Sequence, residues 1–157
     1  MDVHIAPART PEDIATVADL FRDYAASLPV DLGYQDFEAE LAALPGKYAP
    51  PQGELLLARD EDGEALGCVG LRPLAAGACE MKRLYLLPAA RGRGVGKALA
   101  EAVVEAARGL GYRELRLDTL ATMATAATLY ERMGFERIAP YYAPTPPGTV
   151  FMRLALD

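Results

Sequence analysis

The order of hydrophobic periods along this 157-residue chain predicts an α/β fold, a mixed and mostly antiparallel twisted sheet flanked by helices. Three observations carry that expectation. Apolar runs at 54–59, 65–71 and 80–87 are separated only by short turn sequences, the pattern of an antiparallel meander. After Pro88 the apolar spacing lengthens from two residues to 3.6, so a helix follows the meander. From 112 onward a strand pattern, a helix pattern and two further strand patterns complete the order.

Each element has a local reason. Residues 3–6 form a short strand, and Thr10-Pro11-Glu12-Asp13 starts a helix with a hydroxyl at the cap, proline at the first position and acids in the first turn. Its apolar stripe runs through Ile14, Val17, Ala18, Phe21 and Tyr24, and Pro29 stops it. A second helix is expected over 35–44, followed at 45–53 by a proline- and glycine-rich loop suited to bordering a site. Asp60-Glu61-Asp62-Gly63 turns the chain between the first two strands of the meander. In the long helix Val95, Ala98, Leu99, Ala102, Val103 and Ala106 share one face while Lys97, Glu101, Glu105 and Arg108 share the other, until Gly109 and Gly111 end it. Strands are then expected at 112–118, 135–138 and 149–156, with a helix at 122–133 closed by Gly134.

Length and composition bound the function. A chain of 157 residues that is 52% hydrophobic is the size of one domain spanning 1–157, able to bury a core without a metal or disulfides. The formal net charge of -6 is the opposite of what phosphate-backbone binding needs, so no nucleic-acid partner is expected. Neither a signal peptide nor an apolar run of membrane length is present, which points to a cytoplasmic protein with no membrane partner. Cys68 and Cys79 lack metal-ligand spacing and His4 has no companion, so no metal is expected.

The chemistry concentrates in Arg91-Gly92-Arg93-Gly94-Val95-Gly96-Lys97, which lies between a strand and an amphipathic helix. Glycines let the backbone turn tightly and approach a ligand, and a helix N-terminus presents unpaired N–H groups at its positive dipole end. Arg91, Arg93 and Lys97 add cations, as a pyrophosphate would require. The spacing is not that of a P-loop, because Arg91 stands where its first glycine belongs and Ala98 follows Lys97. Nor is it the dinucleotide fingerprint, since the third glycine of that pattern would fall at Leu99.

The turn resembles the signature of the GCN5-related N-acetyltransferase superfamily, Gln/Arg-x-x-Gly-x-Gly/Ala, at every specified position. The preceding Leu84-Tyr85-Leu86-Leu87-Pro88 and the later Ala126-x-x-Leu129-Tyr130 leading to Gly134-Phe135 are similar to its neighbouring segments. The resemblance is specific over about residues 80–138. It implies an N-acetyltransferase that takes acetyl-CoA as co-substrate and an amine of a small molecule or peptide as acceptor; an acyl-CoA-binding sensor without turnover is the alternative. It also implies that the strands at 80–87 and 112–118 splay apart to hold the pantetheine arm on the main chain of Leu84, Tyr85 and Leu86. The pyrophosphate would then lie on Arg91, Gly92, Arg93, Gly94, Val95, Gly96 and Lys97. Pairing of final strands into a homodimer, as in some relatives, belongs to the same expectation.

Attack of an amine on a thioester needs a group to take a proton from the amine and one to give a proton to the thiolate. By resemblance Tyr130 is the acid, and the base is either Glu80, eleven residues before Arg91 as in histone-type members, or ordered water, as in many other members. Alternation along a strand would set Glu80, Lys82, Leu84 and Leu86 on one face. Transfer from a phenol of pKa about 10 to a thiolate whose thiol has pKa about 8.5 is uphill, so nearby cations and the helix are expected to lower the phenol while a dry slot raises the thiol. Met123 stands where many members carry an asparagine on the cofactor, with Thr119 or Thr122 as replacements. Tyr141 and Tyr142, on a proline-stiffened loop, are candidate acceptor contacts.

Overall fold

The computed structural model describes residues 2–156. Seven strands form one sheet in the order β1-β2-β3-β4-β5-β7-β6, with β1 at His4–Pro7, β2 at Glu54–Arg59, β3 at Ala65–Ala75 and β4 at Ala78–Leu86. The remaining strands are β5 at Glu114–Thr119, β6 at Glu136–Ile138 and β7 at Val150–Ala155. Only β4 and β5 run parallel; every other neighbouring pair is antiparallel.

The helices sit on both faces. One face carries α1 (Pro11–Ser27) and α2 (Phe37–Ala43), and the other carries α3 (Val95–Gly109) and α4 (Ala124–Arg132). Thr10 caps α1 with Asp13 returning the bond, the reciprocal arrangement its sequence predicts. The expected helix at 35–44 is shorter. A 3₁₀ turn at Leu32–Gln35 precedes it, and Asp36 in a left-handed conformation (φ 57°) separates the two, so α2 begins at Phe37.

Each helical layer buries its own core. Val95, Leu99 and Val103 of α3 pack with Leu115, Leu117 and Met152, while Val17 and Phe21 of α1 pack with Phe37, Tyr48, Leu55 and Leu57. Burying a side chain of this kind contributes about 1.5–3 kcal/mol, so both layers hold the sheet between them.

Two irregularities of β4 position the site. Its pairing with β5 covers only Ala78 with Glu114, Cys79 with Leu115 and Glu80 with Arg116, after which the strands part. Between the rungs Cys68–Tyr85 and Gly70–Lys82, β3 advances two residues while β4 advances three, and the extra residue is accommodated around Arg83, which is held at φ 62°. This bulge overturns the expected alternation. Lys82 and Glu80 join the polar groups on the α2 side, whereas Leu84 and Leu86 pack with the α3 layer.

Candidate active site

The gap between β4 and β5 opens into a cleft of about 1430 Å³. Tyr24 of α1 and Leu28 just after it, Leu84, Tyr85 and Leu86 of β4, and Ala126 and Leu129 of α4 with Met133 just after it form its walls. Arg91, Gly92, Gly94, Gly96 and Lys97 close one end. Gly92 (φ 78°) and Gly94 (φ 79°) hold left-handed conformations, and a Cβ added to either would meet nothing within 4 Å. Their absent side chains therefore serve the backbone path and leave open space above the turn.

Above that turn α3 presents its first N–H groups. The helical ladder begins with Ala98 N–H donating to Gly94 O at 3.1 Å, so the amides of Val95, Gly96 and Lys97 precede it. Arg91 donates to Leu86 O at 3.2 and 3.1 Å and lies 5.8 Å over the Tyr85 ring, which ties the turn to the strand. Two predicted residues stand apart. Val95 turns its side chain into the core, and Arg93 is exposed and lies off the cleft wall.

The strand offers main-chain groups to the same cleft. Leu87 N–H donates to Leu66 O of β3, so by alternation the polar groups of Leu86 and Leu84 face the gap. On the β5 side Thr119 Oγ1 is buried and, among the described residues, has no hydrogen-bond partner. Thr122 and Met123 line the wall beyond it.

Tyr130 lies beneath the gap, 5% exposed, with its ring 5.6 Å from that of Phe135. Burial raises its pKa above the usual phenol value, and the nearby Tyr24 and Asp118 raise it further. The expected lowering by cations is thus not what this site supplies, because the neighbours are acidic and the surroundings dry. The phenol keeps its proton and so remains a hydrogen-bond donor.

On the opposite side of β4 the charged groups are buried and mutually paired. Glu80, 1% exposed, accepts from Arg72 Nε at 2.9 Å and from Tyr141 Oη at 2.6 Å. Lys82 Nζ donates to Asp118 Oδ1 at 3.2 Å, while Asp118 Oδ2 accepts from Tyr142 Oη at 2.7 Å and Gln35 Nε2 at 3.4 Å. Arg83 grips Glu40 with two bonds of 3.1 and 3.0 Å, donates to Gln35 at 2.6 Å and lies over the Phe37 ring. Its strained backbone is held by these contacts. Tyr141 and Tyr142 pack edge-on against each other and against Phe151, so the loop before β7 closes this side through both rings and both hydroxyls. A cavity of only about 20 Å³ remains there, lined by Tyr24, Gln35, Lys82, Asp118 and Thr119 among others.

The structure therefore brings the main chain of Leu84 and Leu86 and most of the glycine turn to one cleft, with Tyr130 buried in the core behind Ala126 and Leu129 and lining neither cavity. It sets Glu80, Tyr141 and Tyr142 on the other side, and Glu80 lines neither cavity. Sequence reasoning missed Tyr24, Gln35, Glu40, Lys82, Arg83 and Asp118. One signal was available: Glu80, Lys82 and Arg83 interrupt an otherwise apolar strand in the middle of a sheet, and buried charges demand partners.

Comparisons with known proteins agree with this geometry. The model of the acetyltransferase (GNAT) family matches residues 17–135. The chain is 40% identical to an uncharacterised N-acetyltransferase of Schizosaccharomyces pombe, over 99% of this chain and 96% of that one. An acetyltransferase of the GNAT family from Staphylococcus aureus Mu50 superimposes with a TM-score of 0.80 at 17% identity, covering 99% of this chain and 100% of the other. A GNAT superfamily phosphinothricin acetyltransferase from Sinorhizobium meliloti, solved in complex with acetyl-CoA, does so with a TM-score of 0.75 at 20% identity, covering 99% and 89%. Among the described residues no helix is long and apolar enough to cross a membrane, and no group of three or more His, Cys, Asp or Glu is placed to hold a metal.

Proposed function

Since the chain belongs to the acetyltransferase (GNAT) family and is an acetyl-CoA-dependent N-acetyltransferase, we propose that it passes the acetyl group directly to an amine of a small molecule or peptide, both substrates being bound at once. The observation that carries this reading is the continuity of one cleft from the open glycine turn to the gap between β4 and β5. The fit to acetyl-CoA rests on two features: amides at a helix start and unobstructed space above Gly92 and Gly94.

In this reading the Val95, Gly96 and Lys97 amides and the Lys97 ammonium hold the pyrophosphate. Arg91 acts mainly by fixing the turn against Leu86. The main chain of Leu84 and Leu86 aligns the pantetheine arm, and an N–H there stabilises the oxyanion of the tetrahedral state, a contribution of several kcal/mol for a well-aimed donor. Tyr130 donates a hydrogen bond to the departing sulfur. Thr119 and Thr122 take the place of the missing asparagine at Met123.

The acceptor approaches from the α2 side, where Tyr141 and Tyr142 cover the gap. Its amine is received by Asp118, the carboxylate that lines the small cavity. Glu80 is read as an electrostatic residue that anchors Tyr141, because Arg72 and Tyr141 already bind it and it lines neither cavity. A cytoplasmic, single-domain protein fits this reading, and the three-residue edge strand β6 is where a second copy would pair. The test is calorimetric titration with acetyl-CoA followed by a free-thiol assay across a panel of amines. Binding with amine-dependent thiol release is expected; binding without release for any amine would leave a sensor, and no binding would remove the cleft from the mechanism.

A further inference from the structure

The last rung between β4 and β5 joins Glu80 to Arg116. One step further along the same face of each strand stand Lys82 and Asp118, which meet across the opening with Nζ and Oδ1 3.2 Å apart. An amine of this chain thus already occupies the mouth of the gap. It stands next to the bulge beyond which the main chain of Leu84 faces the cofactor cleft, and its partner Asp118 is close enough to Tyr130 for the carboxylate charge to act on the phenol. The sequence holds three lysines, Lys47, Lys82 and Lys97, and Lys82 alone is buried.

Resting on the reading of the cleft given above, we propose that Lys82 is an internal acceptor: without an external amine the protein acetylates its own Lys82 from acetyl-CoA. In the step Lys82 Nζ bonds to the thioester carbonyl carbon and the carbon–sulfur bond breaks. One ammonium proton passes to Asp118 as the amine becomes nucleophilic, a second leaves nitrogen as the amide forms, the thiolate takes up one, and one reaches solvent. The balance is ammonium plus thioester giving amide, thiol and one proton. Burial lowers the pKa of Lys82, against the opposing pull of Asp118 and Glu80 and together with the repulsion of Arg83 and Arg72. That makes the neutral amine easier to reach. The product has no charge to offer Asp118 and adds bulk where the cavity holds only about 20 Å³, so the modified chain is closed to external acceptors.

The three lysines supply the test. The full chain is incubated with acetyl-CoA and no amine, and each lysine is mapped by mass spectrometry after digestion with a protease that does not cut at lysine. Uncatalysed acetylation by a thioester follows exposure and strikes Lys47 and Lys97 first. The proposal expects the reverse, with Lys82 leading by about tenfold or more because the two reacting groups are held together. Excess free CoA should suppress the Lys82 adduct and spare that of Lys47, which lies outside the cleft, and Lys82→Arg should remove it. Adducts confined to Lys47, Lys97 or the N-terminus, with acetyl-CoA binding confirmed by calorimetry, overturn the proposal alone. Absence of both binding and the Lys82 adduct overturns the reading of the cleft with it.

Discussion

The two halves of β4 on either side of Arg83 are made differently. The half from Leu84 to Leu86 borders a wide cleft through main-chain groups, aliphatic side chains and glycines of the adjoining turn. The half from Glu80 to Lys82 is packed with charge, each group bonded to a partner from a distant part of the chain, and almost no space is left beside it. A nucleotide-bearing arm can be held by backbone geometry, which tolerates many side chains. An acceptor must be distinguished by its own polar groups, which requires side chains set in fixed positions by their neighbours.

Four substitutions test that difference, from the largest effect to the smallest. Tyr130→Phe keeps the ring against Phe135 and removes the donor at the sulfur, so turnover should fall about 10²- to 10⁴-fold while melting temperature and acetyl-CoA affinity hold. Loss of affinity and stability in step with turnover would make Tyr130 a core residue only. Arg83→Met leaves Glu40, whose side chain is 10% exposed, with only the longer 3.9 Å pair to Arg72 and should cost about 3 kcal/mol of stability, measured by denaturant unfolding. An unchanged midpoint would mean that the acceptor side does not depend on its ion pairs.

Gly94→Val places a branched side chain at φ 79°, a strain of about 1–3 kcal/mol, in the space above the turn. Calorimetry should show acetyl-CoA binding lost while the fold persists; retained affinity would move the cofactor elsewhere. Thr119→Val has the smallest effect and two opposite signs. Removing a buried hydroxyl without a partner should stabilise the free protein by about 1 kcal/mol and weaken acetyl-CoA binding. A loss of stability would show that the hydroxyl is satisfied in the free protein.

Legibility in the sequence followed the same division. The meander, the glycine turn, α3 and the cap of α1 rest on neighbouring residues, so periodicity and turn chemistry located them within a few positions. The break at Asp36 and the bulge at Arg83 were not legible, because each places a non-glycine residue in a left-handed conformation that no local turn signal in the sequence calls for. The candidate site divides likewise. Arg91 and Gly94 could be found by spacing, whereas Glu40, Gln35 and Asp118 lie 43, 48 and 36 residues from the cations they bind. Their roles exist only once α2 and β5 are brought to the sheet. The raised pKa of Tyr130 belongs to the same class, since it follows from burial under the gap and not from anything adjacent in the chain.

The single extra residue in β4 also acts as a change of parity. Before it, even-numbered side chains look toward the charged cluster on the α2 side; after it, even-numbered side chains look toward the α3 layer, so one continuous ribbon serves two compartments. Drift in the letters that face the charged cluster can therefore proceed without rewriting those that border the wide cleft. Straightening the bulge with every residue retained would exchange the inner and outer vocabularies of everything downstream, presenting leucines to the charged pocket and Tyr85 to the opposite layer, whereas deleting the extra residue would leave each downstream side chain on its present face.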